Sequence, residues 1–228
     1  MKKVILLIHL RPIGWLEGLS EASVQEIETK GIIKEFHAKE SIFLNGEKLT
    51  HYYFVIKGSV AIYKQNEEGK KWIASLLSEG EFFPHVGFNQ TKSVYPGNAE
   101  ALSDSVLFVL SKQQMNTLFN KYPTIHEHLT LFLTVKNQEL MTRFSNSVLE
   151  TASDQLISLL KRLASESGEK VDGDWILIEH GMTVQNMAEY IGVTQETISR
   201  ILHQLYRDNK AKKAGQKKIC VNLKLLKS

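Results

Sequence analysis

Cysteine is almost missing from this chain, with Cys220 the single example in 228 residues. One thiol cannot build an intramolecular disulfide framework, a Cys-rich zinc site or an iron–sulfur cluster. No apolar run is long enough to span a bilayer. Residues 4–10, after Lys2 and Lys3, resemble the start of a signal peptide, but His9 interrupts them. Arg11 and Pro12 stop the run, and no small-residue cleavage site follows. This segment is read as part of the folded protein or a frayed extension, and the location as cytoplasmic, with no membrane partner. Metal ligands in the right grouping are lacking too: Tyr52 and Tyr53 follow His51, without the second histidine and glutamate that a cupin-type centre needs. No metal site, cofactor or catalytic residue is expected, and no enzyme.

What is present is an ordinary globular composition. The hydrophobic fraction of 43% and charged fraction of 23% rule out disorder and collagen-like repeats. The length suits one large domain or two modest ones. The net charge of +3 hides an asymmetry, since residues 203–228 hold eight Lys/Arg against Asp208 alone. A mildly acidic body with a basic end points to a polyanion partner at that end, although a solvated charged surface would look the same.

Residues 32–110 read as short strands. Segments 51–57 and 58–64 are rich in β-branched and aromatic residues, and Asn45-Gly46, Gly58 and Glu68-Gly69 supply turns. Further strands are expected at 72–77 and 105–110, and the spacing indicates a sandwich or barrel. Ahead of them, residues 20–30 predict an amphipathic helix capped by Ser20, with Val24 and Ile27 inward. No Gly or Pro interrupts 124–147, where Ile125, Leu129, Phe132, Leu133, Leu140 and Phe144 form a helical stripe. Such a stripe must be buried on something, either its own β domain or the same helix of a second copy. A seam serving both is favoured, although Lys136 breaks a strict heptad. Beyond Thr151, Leu156, Leu159, Leu160 and Leu163 share one helix face, 166–173 reads as a polar loop, and 175–178 as a strand. Two short helices, a basic turn and a strand at 219–223 complete a winged helix-turn-helix order.

The helix pair spans Thr183 to Leu202. Thr183 can cap a first helix whose inner face is Met187, Ala188 and Ile191, and Gly192 suits the turn, where positive φ is expected. Thr194 can cap a second helix that buries Ile198, Ile201, Leu202 and Leu205. Burial of that face sends Gln195, Glu196, Ser199, Arg200 and His203 outward, where such a helix reaches base edges in the major groove. Arg200 can take guanine O6 and N7, Glu196 can accept from cytosine N4, and Ser199 suits several bases. Thr183 and Thr194 join the candidate DNA contacts, and Lys212, Lys213, Lys217 and Lys218 of the basic turn would bind phosphates.

These residues carry a resemblance. Val-Thr-Gln-Glu-Thr-Ile-Ser-Arg-Ile-Leu (193–202) is similar to the recognition helix of the CRP/FNR superfamily of bacterial transcription regulators. Tyr53-Phe-Val-Ile-Lys-Gly-Ser-Val, within residues 46–63, resembles that family's cyclic-nucleotide-binding-like β-roll. The resemblance covers nearly the full chain and implies an α+β fold. Residues 1–122 would form a β-roll (a double-stranded jelly roll) acting as a sensor-like domain, 123–150 a dimerisation helix, and 151–228 a winged helix DNA-binding domain. Glu196, Ser199 and Arg200 match the Glu-x-x-Ser-Arg pattern of the FNR branch, which implies a palindrome of TTGAT-like half-sites.

Relatives that bind cyclic AMP resemble one another in a Gly-Glu-Leu segment followed by Arg-Ser-Ala, an arginine serving the cyclic phosphate and a carboxylate the ribose. Here Pro84 and His85 stand where Gly-Glu belongs, and Gly97-Asn98 where Arg-Ser belongs. Cyclic-nucleotide binding is not expected. The segment leaves a candidate effector pocket of Phe82, Phe83, His85, Phe88 and Tyr95, with Pro84 and Val86 between them. Either these aromatics fill the space as core, or they receive a hydrophobic or planar ligand, haem with His85 as axial ligand being the sharpest version. His126 and His128, two apart on a helix, do not chelate together.

The expectation is a homodimeric, sequence-specific regulator whose partners are double-stranded DNA, a second copy of itself and, if it activates, RNA polymerase. The rivals are a winged helix that docks a protein and an enzyme built on a cupin-like β-roll.

Overall fold

A computed structural model of the protein describes Leu16 and residues 19–88, 90, 92–179, 181–215 and 217–227. The apolar N-terminal run at 4–10 lies outside the described residues. Two compact units form. The first holds the described residues up to Lys64 with Ala74–Glu139, and the second holds Gln65–Ile73 and Leu140 onward.

The first unit is built around two antiparallel sheets. Strands β1 (Ile32–Phe36), β2 (Ser41–Phe43), β3 (His51–Lys57), β4 (Val60–Gln65), β5 (Lys71–Leu77), β6 (Phe82–Phe83), β7 (Asn98–Ala101) and β8 (Ser105–Ser111) divide into the orders β1-β8-β3-β6 and β2-β7-β4-β5. This is the expected double-sheeted β-roll. Strand β3 does not alternate: Tyr52 to Ile56 are all buried, so both faces of the strand are covered. Gly58, after β3, has φ +92°, and a Cβ there would lie 2.6 Å from the Asp104 carbonyl oxygen, so both the turn and the close approach demand glycine.

Helix α1 (Glu21–Lys30) starts on Ser20, whose Oγ accepts the Ser23 N–H at 3.3 Å, and buries Ile27. A helix that the strand pattern had hidden, α2 (Lys112–Lys121), opens on a Ser111–Gln114 capping box and buries Met115, Leu118 and Phe119. The two helices meet at Glu26. Its carboxylate pairs with Lys121, with Lys30 at 2.8 Å, and accepts from the Tyr122 hydroxyl at 2.7 Å. The Lys121, Lys30 and Tyr122 hydrogen bonds hold its pKa down to about 2. A lowered folded-state pKa stabilises the fold above the ordinary carboxylate range, and the gain disappears as pH falls toward about 2. Glu26→Gln should therefore melt earlier than the wild type at neutral pH and equal it in strong acid, which a series of melting temperatures against pH checks.

Helix α3 (Pro123–Leu149) is the long helix of the sequence reading. Its stripe divides. Ile125 and Leu129 are buried on the β-roll core, with Phe132 and Leu133 packed against it, whereas Leu140 and Phe144 stay exposed. No helix among the described residues is long and apolar enough to cross a membrane.

The second unit continues with α4 (Ala152–Ser167), capped by Thr151 and Asp154, then β9 (Gly168–Asp172), β10 (Trp175–Glu179), α5 (Val184–Ile191), α6 (Gln195–Arg207), β11 (Ala211–Gly215) and β12 (Lys218–Asn222). The strands form one antiparallel sheet ordered β11-β12-β10-β9. The polar loop expected at 166–173 is instead the end of α4 and an edge strand. Gly-Glu-Lys-Val-Asp pairs with β10 through its backbone, and an edge strand with mostly exposed side chains needs no apolar alternation.

Candidate nucleic-acid interface

Local chemistry sets the helix pair. Thr183 Oγ1 accepts the Asn186 N–H at 3.1 Å, and Asn186 Oδ1 in turn accepts the Thr183 N–H at 2.9 Å. Helix α5 ends at Gly192, in the left-handed region at φ +90°, whose N–H donates to the Ala188 carbonyl at 2.7 Å. That glycine cap turns the chain within three residues into Thr194, whose Oγ1 accepts the Thr197 N–H at 3.3 Å and opens α6. Beneath, Met187, Ala188, Ile198, Leu202 and Leu205 are buried, as are Leu156 and Leu160 of α4 and Ile178, Ala211, Ile219 and Val221 of the sheet.

The opposite face of α6 carries the expected residues. Gln195, Glu196, Arg200 and His203 are exposed and Ser199 is half-buried, all in the first three turns. The His203 ring stands edge-on to Tyr206, 6.2 Å between centroids. Glu196 is held below the usual carboxylate range by hydrogen bonds from its own backbone N–H and from Thr194, so it is an anion at neutral pH. An acceptor-only carboxylate beside a guanidinium, on a helix face free of apolar side chains, suits base edges of mixed donor and acceptor character. The Thr183 hydroxyl, at the start of α5, donates to Asn186 Oδ1 at 2.8 Å within its cap.

The wing lysines fall into two groups. Lys218 pairs with Glu179, its direct partner across β10 and β12, and the Lys212 ammonium stands 4.0 Å from the centroid of the Trp175 ring. Lys213 is exposed on β11, and Lys217 is half-buried in the turn, at φ +56°. Sequence reasoning missed the partners Glu179 and Trp175. The register that pairs Glu179 with Lys218 would have shown one of them, had the 175–178 strand been aligned antiparallel to 219–223.

The five candidate effector residues separate into two clusters. In the two-residue strand β6, successive side chains turn to opposite faces. Phe82 meets Phe54, His85, Phe88 and Phe132, with centroids 4.9–6.3 Å apart. Phe83 meets Tyr53 at 5.3 Å and Phe43 at 5.9 Å, and Phe43 stacks on Tyr95 at 3.8 Å. The Tyr95 hydroxyl accepts the His51 N–H at 3.1 Å. His85 Nε2 donates to the Phe82 carbonyl at 2.5 Å, and burial holds its pKa below the usual imidazole value.

A β-roll followed by a winged helix with an exposed, polar recognition face defines a DNA-binding transcription regulator. Residues 33–122 match the model of the cyclic nucleotide-binding domain, and residues 154–228 that of the Crp-like helix-turn-helix domain. The chain belongs to the CRP/FNR family. It is 28% identical over 173 residues to the cAMP-activated global transcriptional regulator CRP of Pasteurella multocida, covering 76% of this chain and 82% of that one. Its fold is similar to that of FixK2 from Bradyrhizobium japonicum, with a TM-score of 0.75 at 20% identity over 86% of this chain and 96% of the other. It is similar as well to the c-di-GMP responsive global regulator CLP of Xanthomonas campestris, TM-score 0.75 at 17% identity over 89% and 99%. CRP and CLP are both named as global regulators.

The residues at hand do not fit a cyclic nucleotide. Lys92 is the only Lys or Arg between Lys71 and Lys112. Asn98, standing where a phosphate-binding serine would, accepts the Asn45 N–H through Oδ1 at 2.9 Å. His85, standing where a ribose-binding carboxylate would, is hydrogen-bonded to the Phe82 carbonyl of β6.

Proposed function

We propose that the protein binds a palindromic, TTGAT-like operator as a homodimer and needs no effector to do so. The observation that carries the reading is the capped helix α6, with Ile198, Leu202 and Leu205 buried while Glu196 and Arg200 are exposed. Arg200 would read the guanine, Glu196 the opposing cytosine, and Gln195, Ser199 and His203 the flanking positions. Thr194 would lie near the backbone at the helix start, and Lys212, Lys213, Lys217 and Lys218 would supply phosphate contacts. Residues 1–122 would scaffold, 123–150 dimerise and 151–228 read DNA.

Dimerisation through α3 is supported by Leu131, Val135, Met141, Phe144 and Val148, apolar side chains left 51–69% exposed on one helix. A row of that length on a single chain calls for a second surface. Two-fold symmetry then sets the half-sites about one helical turn apart. Effector independence is supported by the way Phe82, Phe88 and His85 pack on one side of β6 and Phe83 and Tyr95 on the other, filling the roll with its own rings. A haem bound through His85 Nε2 would have to break its hydrogen bond to the Phe82 carbonyl. RNA polymerase would be a further partner if the regulator activates.

A competition binding assay tests the reading, with ligand-free protein on a TTGAT…ATCAA duplex against a scrambled one. Selective binding is expected, weakening by about a hundredfold or more between 50 and 200 mM salt as phosphate counterions return. Binding indifferent to salt would instead favour a winged helix that docks a protein, and equal weak binding to both duplexes would overturn the operator assignment.

A further inference from the structure

Lys136 occupies a place on α3 where the inward stripe calls for an apolar residue, one turn beyond Phe132 and Leu133. Its side chain is only 19% exposed, and its ammonium pairs with Glu81 and, at 3.0 Å, with Glu139 on its own helix. The Phe132 ring lies beside it, 5.6 Å from ammonium to centroid. Glu81 is fixed from the β-roll side before the lysine is considered. Its Oε2 accepts from the Ser78 N–H at 2.8 Å and the Ser78 hydroxyl at 3.1 Å. Its carbonyl accepts the Val55 N–H of β3 at 2.8 Å. One oxygen of the carboxylate therefore locks the segment that leads into β6, and the other holds the helix.

The neighbouring groups keep this a single-cation arrangement. His85 stands edge-on to the same Phe132 ring at 5.0 Å. Burial, with the Lys136 charge behind it, disfavours its protonation. Removing two charges from water offsets most of what their attraction gains, so such a tie adds little stability that an apolar pair would not. What it adds is direction. A methionine or leucine at this position would tolerate a rotation or a slide of the helix, whereas an ammonium held by Glu81 on the roll, with Glu139 of its own helix turned to the same point, resists both.

We infer that Lys136 is a positioning residue for DNA binding. Its tie to Glu81 sets the rotation and height of α3 on the β-roll from inside the chain, and so supplies the order that a bound effector would otherwise supply. The inference rests on the operator-binding dimer proposed above and explains how that dimer stays competent with its roll filled.

The test uses full-length protein, measuring operator and scrambled-duplex affinities together with melting temperature. The double variant Glu81→Gln/Lys136→Met keeps the acceptor for Ser78 and replaces the buried charges by uncharged groups of similar size. It is expected to melt no lower than the wild type, yet to bind the operator about tenfold more weakly, with scrambled-duplex affinity unchanged. Lys136→Arg, which keeps the charge, should recover most of the loss. A double variant that binds the operator as tightly as the wild type overturns the tie. A wild-type protein with no operator preference overturns the functional reading itself, so the two failures are distinguishable.

Discussion

Arg200→Ala should abolish sequence choice at one base pair while leaving the fold untouched. The side chain is exposed on the second turn of α6, so truncating it opens no cavity and strands no buried partner. The loss falls on recognition alone. A bidentate guanidinium–guanine contact discriminates by about 1–3 kcal/mol, so operator affinity should fall roughly five- to 150-fold. The scrambled duplex, which offers phosphates but no matched guanine, should lose far less. Replacing the guanine in the operator should then cost the variant little, because the group that distinguished it has gone. Competition binding on the two operators, wild type against variant, reads both effects. By contrast, Lys213→Ala should weaken every duplex about equally, the mark of a backbone contact. If Arg200→Ala changes neither affinity nor choice, α6 is not the reading helix.

Much of this interface was legible because its information is local. The 3.6-residue spacing from Met187 to Leu205, the two threonine caps and the glycine between them lie within some twenty residues, and the structure forms those caps at Thr183 and Thr194. The β-roll was legible for the same reason, through β-branched segments between turns. What escaped depends on pairing across the chain. Lys136 looked like a flaw in an apolar stripe, because its partner Glu81 lies far upstream and only the packing of α3 on the roll brings them together. Phe82 and Phe83 read as one pocket because they are adjacent, yet a strand turns neighbours to opposite faces. Lys218 and Lys212 read as equivalent to Lys213, yet the sheet register sets Lys218 against Glu179 and the Lys212 ammonium lies over the Trp175 ring. Edge strand β9 had no apolar signal to read, being held by its backbone.

Ile198→Ala should do the reverse of Arg200→Ala from two positions away. On an α-helix two residues are about 200° apart, so the two side chains test opposite sides of one assignment. Ile198 has no exposed surface. It is buried on α6 together with Leu202 and Leu205, in a helix that packs on α5, α4 and β11. Cutting it to alanine removes buried methyl groups and leaves a cavity that rigid neighbours only partly fill, at a cost of about 2–5 kcal/mol. For a domain of ordinary marginal stability that is a large share of the total. The urea midpoint should drop accordingly, with its slope unchanged. DNA binding should fall for operator and scrambled duplex alike, in proportion to the fraction of protein that has lost the winged helix. A variant with Arg200 intact but no scaffold beneath it thus loses affinity without changing choice, whereas Arg200→Ala loses choice without changing stability. Finding the two phenotypes exchanged, or Ile198→Ala with an unmoved midpoint, would mean that α6 presents a different face to solvent.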